Sequence, residues 1–278
     1  MRKIKIVSDS SSDILSLQGL DYASAPMKIV TAQREFVDDA SLDVDEMADF
    51  LYNYKGQSKS SCPNVNDWLE AFGDADDVYC ITITSGLSGS YNSACSAKDI
   101  YEAEHEGSRV FVLDSLSAGP EMALVIEKMQ ACIAEGLSFE DTCAALNEYT
   151  KRTGLLFMLK SLKNFANNGR VSPAVAKIAG IMGLCIVGRA SDAGTLEPLH
   201  KCRGEARSLD AILKEMEASG FRGGRVRIAN CRNPEGAERF KSMILEKYPN
   251  TDVTIHKHRG LCSFYAEVGG ILVGYEKN

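Results

Sequence analysis

The sequence has no pair of cysteines spaced as Cys-x-x-Cys, although it contains nine cysteines. This absence, together with the odd number, argues against zinc ribbons and redox-active cysteine pairs. Most of the cysteines lie in apolar runs, as Cys80 and Cys185 do, where a thiol behaves as a small hydrophobic side chain. We therefore expect free, mostly buried thiols in a reducing cytoplasm.

Long apolar runs and an excess of positive charge are also missing. The most apolar stretch, residues 178–187, is far shorter than the ~20 residues that a helix needs to cross a bilayer. The N-terminus lacks the apolar core of a signal peptide. Acidic residues outnumber basic ones by 38 to 31, which argues against non-specific nucleic-acid binding and against a polybasic membrane anchor. The sequence thus predicts a cytoplasmic protein with no nucleic-acid partner and no stable membrane insertion.

The first half of the chain alternates between strand-like and helix-like segments. Residues 3–7, 78–84 and 110–114 are predicted strands, and each later one is followed by a polar turn and a helix-like pattern. Ser138 is a predicted N-cap for a further helix. Repeated strand–turn–helix units indicate a Rossmann-like parallel sheet with helices on both faces.

The second half changes character after about residue 155. Strands are predicted at 184–187 and 196–200, with residues 191–195 as a hairpin turn, so the sheet here is expected to be mixed. The sequence therefore predicts an α/β protein with two α/β domains, 1–157 and 158–278. A ligand would be held between them.

The loop of residues 85–90, Ser-Gly-Leu-Ser-Gly-Ser, is the strongest functional signal. A loop between a strand and a helix leaves backbone N–H groups unpaired at a helix N-terminus, where negative charge is also favoured. Glycine lets a ligand approach the backbone, and serine hydroxyls add donors. We interpret the loop as a cradle for a carboxylate or phosphate, with a tight turn capped by a serine as the alternative.

Three other segments carry weaker signals. Residues 59–64 place Ser60 and Ser61 before a helix carrying Trp68; this is either a capping segment or the second side of an anion site. His256 and His258 follow a strand, but no carboxylate cluster accompanies them, so a single histidine donating to a ligand oxygen is favoured over a metal site. Arg170 lies in a glycine turn, either as an exposed cation or as a partner-binding guanidinium.

Motifs for catalysis are missing. The 85–90 loop lacks the lysine of a Walker A motif, and residues 41–46 lack the glycine and terminal glutamate of an EF-hand. We find no nucleophile elbow, no GxGxxG fingerprint and no defensible Ser-His-Asp set. The sequence therefore predicts an anion-binding protein without catalytic residues, metal or cofactor.

Taken together and in order, several segments resemble the DegV family of bacterial fatty-acid-binding proteins. The matching segments are residues 9–13, 59–63, 81–94, 112–119, 168–172, 202–206 and 258–260. The resemblance implies two α/β domains, with a long-chain fatty acid buried in a tunnel and its carboxylate between the domains. It also implies a fatty acid kinase partner that makes acyl-phosphate from ATP and the bound acid.

The resemblance further implies roles for individual residues. Ser60, Ser61, Ser88 with Gly89, and His258 would bind the carboxylate, and Arg170 and Arg203 would lie near the tunnel mouth, where the kinase binds. Three segments depart from the family pattern, one of them being the doubled glycine before Arg170, which is Asn168-Gly169 here. The family's Thr-Ser-Gln-Pro-Ser is Ser-Ser-Cys-Pro-Asn at residues 60–64, and its His-x-Gly-Pro-Gly is His-Arg-Gly-Leu-Cys at residues 258–262.

A different class of protein also uses serine- and glycine-rich loops at helix N-termini. A sugar-phosphate-binding enzyme would hold its phosphate in this way, but it would also need a glutamate or histidine base close to the loop. His258 or Glu121 can be nominated for that base only arbitrarily. A purely structural protein would leave the serine loops unexplained.

Overall fold

The computed structural model describes residues 2–172, 175 and 183–277. The strands are β1 (Ile4–Asp9), β2 (Asp21–Ala25), β3 (Lys28–Val30), β4 (Glu35–Val37), β5 (Lys59–Ser61), β6 (Asp77–Thr82), β7 (Arg109–Asp114), β8 (Thr153–Leu159), β9 (Leu184–Ala190), β10 (Leu196–Arg203), β11 (Arg225–Asn230), β12 (Asp252–Lys257) and β13 (Ile271–Glu276). The helices are α1 (Val44–Asn53), α2 (Val65–Phe72), α3 (Ser90–Glu104), α4 (Pro120–Ala134), α5 (Phe139–Thr150), α6 (Lys163–Asn167), α7 (Glu205–Ala218), α8 (Pro234–Lys247) and α9 (Gly260–Ala266). A single 3-10 turn, Ser10–Ser12, follows β1.

The first sheet is parallel, with the strand order β2-β1-β6-β7. Because side chains alternate across a strand, its two faces carry separate cores. One face packs against α2 and α3 through Trp68 and Tyr101. The other packs against α4 and α5 through Met122 and Leu146. The predicted parallel sheet with helices on both faces is confirmed, and Ser138 caps α5 by accepting a hydrogen bond from the backbone N–H of Asp141.

The second sheet is mixed, with the order β10-β9-β8-β13-β11-β12. Only β11 and β12 are parallel neighbours; the other pairs are antiparallel. Helices α7 and α8 cover one face through a large apolar cluster that includes Leu209 and Phe240. The predicted hairpin of β9 and β10 is present, so the predicted mixed sheet is confirmed. The helix predicted after Ser172 and the stretch 174–183 lie largely outside the described residues.

The change from the first sheet to the second falls between α5 and β8. Strand β8 pairs with β13 and β9 from Thr153 onward, so all of it belongs to the second sheet. The division into two domains at residue 157 stays a prediction. When the boundary is drawn at the change of sheet, it lies near residue 152.

A small third sheet, β4-β3-β5, was not anticipated from the sequence because its strands are only three residues long. It packs with α1 against α9, which comes from the far end of the chain. Phe264 of α9 is buried against Ile29, Phe36 and Met47. The C-terminal segment therefore completes the core of the N-terminal half. No helix in the described part of the chain is long and apolar enough to span a membrane.

Asp38 fixes the start of α9. Its buried carboxylate accepts hydrogen bonds from the backbone N–H groups of Gly260 and Leu261, each at 2.8 Å. Burial raises the pKa of Asp38 from 3.8 to about 6, although the two N–H donors act in the opposite direction. Folding therefore raises the proton affinity of this carboxylate, so its contribution to stability declines as pH rises between 3.8 and about 6.

We expect the Asp38→Asn variant to change the pH dependence of stability. The free energy of unfolding of the unsubstituted protein, relative to the variant, should fall by about 1.4 kcal/mol between pH 5 and 7.5, since one pKa unit corresponds to that energy. Urea unfolding at both pH values measures the difference. The Asp43→Asn variant, which changes an exposed carboxylate capping α1, controls for removal of a charge. If the unsubstituted protein and Asp38→Asn differ in unfolding free energy by the same amount at both pH values, the prediction is wrong.

Candidate functional site

The site begins at the carboxyl ends of β1 and β6. The chain leaves β1 toward β2 on one side, and β6 lies on the other side, so a crevice opens between the loops that follow the two strands. Asp9, at the end of β1, joins these loops by accepting hydrogen bonds from the Ile83 backbone N–H at 2.8 Å and the Ser90 hydroxyl at 2.6 Å. Burial raises the pKa of the Asp9 carboxyl, and its donors counter that effect.

A cavity of about 270 Å³ extends from this crevice to the face of the six-stranded sheet opposite α7 and α8. Its walls are mostly apolar: Met27, Ile83, Leu87, Leu116, Ala118, Leu155, Phe157, Leu159, Phe165, Ala190, Leu196, Leu261, Ala266 and Leu272. Its polar lining residues include Ser60, Ser61, Thr84, Ser88, Ser117, Arg170, Arg189, Thr195 and Tyr265. Ser61 and Gly89, which both line the cavity, are exposed. The hydroxyl-rich part of the lining therefore lies next to solvent.

The 85–90 loop joins β6 to α3, as the sequence predicts. The Ser88 hydroxyl accepts a hydrogen bond from the Ser90 backbone N–H at 3.2 Å, and its own proton has no acceptor among the described residues. The backbone N–H groups of Ser88 and Gly89 likewise have no partner within that part of the chain. Gly89 is the N-cap residue of α3, whereas Ser88 accepts from the first N–H of the helix and still has a proton to donate. A role at the helix start and a role in ligand binding are therefore compatible.

Strand β5 forms the opposite side of the polar lining. The Ser60 hydroxyl lies 2.7 Å from the Tyr265 hydroxyl, and the Ser60 backbone N–H donates to Asn168 Oδ1 at 3.2 Å. The Ser61 side chain has no hydrogen-bond partner among the described residues. The position of a Cβ built on Gly89 is 3.4 Å from Cys62 Sγ, so the serine loop and β5 are packed together at the cavity.

Arg170 and Arg203 lie in different elements of the fold: Arg170 follows α6, and Arg203 is the last residue of β10. Arg170 lines the cavity and donates from Nε to the Leu87 carbonyl at 3.0 Å, while its guanidinium also contacts the Asn168 carbonyl. Arg203 is exposed at the far end of β10, opposite Leu184. Leu196, at the other end of this strand, lines the cavity. At about 3.3 Å per residue, roughly 20 Å of strand separate Leu196 from Arg203. Leu159, which also lines the cavity, is closer to that end of the strand: it is opposite Ile186, and Ile186 is opposite Lys201.

His258 is fully buried, and its Nδ1 lies 2.6 Å from Asp13 Oδ2. The other oxygen of Asp13 accepts the Arg259 backbone N–H at 2.7 Å. His258 Nε2 is buried without a partner in the described chain. His258 does not itself line the cavity. A Cβ on Gly119 would lie 3.6 Å from Asp13 Oδ2 and 3.7 Å from Cys262 Sγ, and Cys262 is in the cavity wall, so the pair lies directly behind this wall.

Asp13, His258 and Cys262 bring three possible metal ligands within 4.8 Å of one another. Hydrogen bonding already accounts for this cluster, because both oxygens of Asp13 have donors. The Cys262 thiol also has an acceptor of its own, the Ser11 carbonyl. The arrangement favours a structural network over a metal centre.

The hairpin turn between β9 and β10 closes the cavity from the second sheet. The Thr84 hydroxyl donates to the Gly194 carbonyl at 2.7 Å. Gly194 has φ +69°, and a Cβ at this position would lie 2.0 Å from Thr84 Oγ1. Gly86 approaches the same turn, since its Cβ would lie 2.7 Å from the Ala193 carbonyl. Only glycine allows the turn to lie this close to the serine loop.

Sequence comparison places this architecture in a known family. The sequence pattern of the DegV family matches residues 3–278. The chain belongs to the DegV family. A DegV domain-containing protein of Streptococcus pneumoniae strain R6 is 42% identical over 276 residues, which is 98% of each chain. The DegV family resemblance inferred from the motifs is therefore confirmed.

Solved DegV structures have the same fold. A DegV family protein from Eubacterium eligens, crystallised with heptadecanoic acid, is 42% identical, with a TM-score of 0.97 over 99% of this chain and 100% of that chain. The fatty acid kinase B3 protein of Streptococcus pneumoniae, loaded with linoleic acid, is 41% identical, with the same TM-score and coverage. The predicted fold class is confirmed by this agreement.

Three contributors to the site were missed by the sequence analysis. Tyr265, Asn168 and Asp13 hold Ser60 and His258 in place, yet each comes from a segment remote from its partner. Asp13 lies in the polar turn after β1, which the sequence marks only as a turn. A tyrosine in an apolar helical segment gives no signal of its own, because its hydroxyl partner is known only once the fold is known.

We expect Gly194→Ala to destabilise this DegV protein by more than about 2 kcal/mol. The new methyl group would meet Thr84, and the positive φ adds a backbone cost of about 1–2 kcal/mol. Gly107→Ala is the matched control: its φ is +80°, but no atom lies within 4 Å of the added methyl group. Urea unfolding of both variants isolates the contact between the turn and Thr84. Equal losses of stability would show that the turn does not pack tightly there.

Proposed function

We propose that this DegV protein binds one long-chain fatty acid in the cavity and presents its carboxylate to a separate fatty acid kinase for acyl-phosphate formation. The observation that carries the proposal is the division of the cavity into apolar walls and a serine-rich part beside solvent. The two relatives crystallised with heptadecanoic acid and linoleic acid support it, as they share the fold over nearly the whole chain.

The apolar walls suit an acyl chain. Burial of methylene groups contributes ~0.8 kcal/mol each, so a long chain gains on the order of 10 kcal/mol. Leu155, Phe157 and Leu159 of β8 line this space. The wall is completed by Phe165, Leu196 and Leu272. A phosphorylated sugar would leave these walls without a partner of matching polarity.

The serine-rich part suits a carboxylate. A buried carboxylate without hydrogen-bond donors is strongly disfavoured. In our proposal it accepts from the Ser61 and Ser88 hydroxyls and from the N–H groups of Ser88 and Gly89, which have no other partner among the described residues. Ser60 contributes its hydroxyl from the same strand. His258 is the remaining predicted ligand. Its Nε2 is buried and unpaired behind Cys262, and because Nδ1 donates to Asp13, Nε2 can donate to the carboxylate only when the ring carries both protons.

The presenting role follows from exposure and from the chemistry present. Ser61 and Gly89 are exposed, so a carboxylate held there can be reached by a partner. The residues around the loop offer hydroxyls and amides rather than a base aimed at a substrate. The protein therefore has no turnover of its own, and it yields no acyl-phosphate when incubated alone with ATP and a fatty acid.

A sugar-phosphate-binding enzyme is the alternative. It would need a general base beside the loop, but Glu121 is bound by the Ser117 and Thr153 hydroxyls, and His258 is bound by Asp13. Mass spectrometry of the ligand extracted from purified protein distinguishes the two functions. A co-purified fatty acid supports our proposal, whereas a phosphorylated sugar would overturn it.

Substitution of Ser88 by alanine tests the proposed carboxylate site. We expect Ser88→Ala to weaken fatty-acid affinity about ten- to hundredfold, because it removes a donor to a charged acceptor worth roughly 1.5–3 kcal/mol. It should also cost about 1 kcal/mol of stability, because the Ser90 backbone N–H loses its hydrogen-bond acceptor. Fluorescence competition and thermal melting on the same preparation measure both.

The Ser138→Ala variant is the control for this measurement. Ser138 also accepts a backbone N–H at a helix start, as the N-cap of α5 bonded to the Asp141 N–H at 3.1 Å, but it is outside the cavity. It should lose similar stability and keep its affinity. If Ser88→Ala lowers the melting temperature and leaves affinity unchanged, Ser88 is only a cap.

Charge reversal separates the two arginines assigned to the kinase surface. Arg203 is exposed and does not line the cavity, so Arg203→Glu should impair coupling to the kinase and leave fatty-acid binding intact. Arg170 supports the serine loop through the Leu87 carbonyl, so Arg170→Glu should weaken both. Kinase assays and binding assays with each variant check this pattern. If the Arg203→Glu variant couples to the kinase as well as the unsubstituted protein does, Arg203 is not part of the partner surface.

A further inference from the structure

We infer that Tyr265 is a positioning residue that orients the Ser60 hydroxyl so that its single proton points to the fatty-acid carboxylate. This inference rests on the proposed function and adds to it a residue that acts on the ligand only through Ser60. The two residues form a chain of neutral hydrogen bonds in the cavity wall.

The geometry places Tyr265 directly behind Ser60. The two hydroxyl oxygens are 2.7 Å apart, and both residues line the cavity. The phenol ring is held from two sides, since its centroid is 4.6 Å from that of Phe165 and 4.9 Å from that of Phe264. The ring therefore has little freedom to turn its hydroxyl away from Ser60.

Ser60 is also fixed through its backbone. Its N–H donates to Asn168 Oδ1, and strand β5 pairs with β3 on its other side, where Ser60 is opposite Ile29. With the backbone held, the direction of the serine O–H bond is the remaining freedom. The hydrogen bond to Tyr265 decides this direction.

The number of available protons fixes which hydroxyl donates in each of these hydrogen bonds. A serine hydroxyl has one proton and can accept as well, whereas an ionised carboxylate only accepts. For Ser60 to donate to the carboxylate, its bond with Tyr265 must use the tyrosine proton. Burial raises the pKa of Tyr265, so the phenol keeps this proton. The resulting chain runs from Tyr265 to Ser60 to carboxylate, and each bond strengthens the next.

This arrangement predicts selectivity for an acid over an alcohol of the same length. A carboxylate needs an oriented donor. An alcohol head group can both donate and accept, so it can bond to Ser60 in either orientation. Loss of the tyrosine hydroxyl should therefore affect the acid much more than the alcohol.

The test uses Tyr265→Phe, which removes only the hydroxyl and keeps the ring contacts. Affinities are measured for heptadecanoic acid and for heptadecan-1-ol. We expect the acid to bind about three- to tenfold more weakly, as for the loss of one neutral hydrogen bond, and the alcohol to change by less than about twofold. Tyr248→Phe is the matched control, because that hydroxyl bonds to Glu217 outside the cavity; it should leave both affinities unchanged.

A double-mutant cycle with Ser60→Ala separates positioning from a structural role. In the Ser60→Ala background, Tyr265→Phe should have no further effect on acid binding, because the residue it acts through is gone. An equal effect in both backgrounds, or an equal loss for acid and alcohol, would overturn the role of Tyr265. Failure of the unsubstituted protein to bind heptadecanoic acid would instead overturn the proposed function, and this inference with it.

Discussion

The buried carboxylate of Asp9 is the interaction on which the site depends. It joins the end of β1 to the end of β6 by accepting from the Ile83 N–H and the Ser90 hydroxyl. Without this carboxylate, the start of α3 and the serine loop before it would lose their connection to the neighbouring strand. Because a buried charge is tolerated only with several donors, Asp9 holds both loops together at the crevice.

The cavity itself arises from contacts between segments far apart in the chain. Asp38 holds the start of α9, Asp13 holds His258, and Thr84 holds the turn at Gly194. Tyr265 joins α9 to Ser60. Each contact joins the N-terminal half to the C-terminal half, so the walls of the cavity form only when both halves are folded together. Folding of the second sheet alone would provide one wall and no polar end.

Sequence reasoning recovered what local patterns encode. Short apolar runs gave three of the four strands of the first sheet and the hairpin of the second, and small polar residues after β6 marked the loop with free N–H groups. The sheet of β3 to β5 was missed because three-residue strands leave no periodic signal, and α9 was missed because its short helix is almost entirely buried. The different settings of Arg170, which lines the cavity, and Arg203, which is exposed at the end of β10, could not be predicted either. They depend on how the segments after α6 and β9 are placed around the cavity, which local patterns do not encode.

Under the proposed function, neutral donors at the mouth of the cavity leave the bound carboxylate reactive. A guanidinium paired directly with the carboxylate would stabilise its charge strongly and make it a weaker nucleophile toward a phosphoryl group. Arg170, one of two guanidinium groups in the described lining of the cavity, instead donates from Nε and Nη1 to the carbonyls of Leu87 and Asn168. Serine hydroxyls and backbone amides hold the carboxylate with several weaker bonds, while the acyl chain supplies most of the affinity. The carboxylate is then oriented and still nucleophilic, as phosphoryl transfer to it by a separate kinase requires.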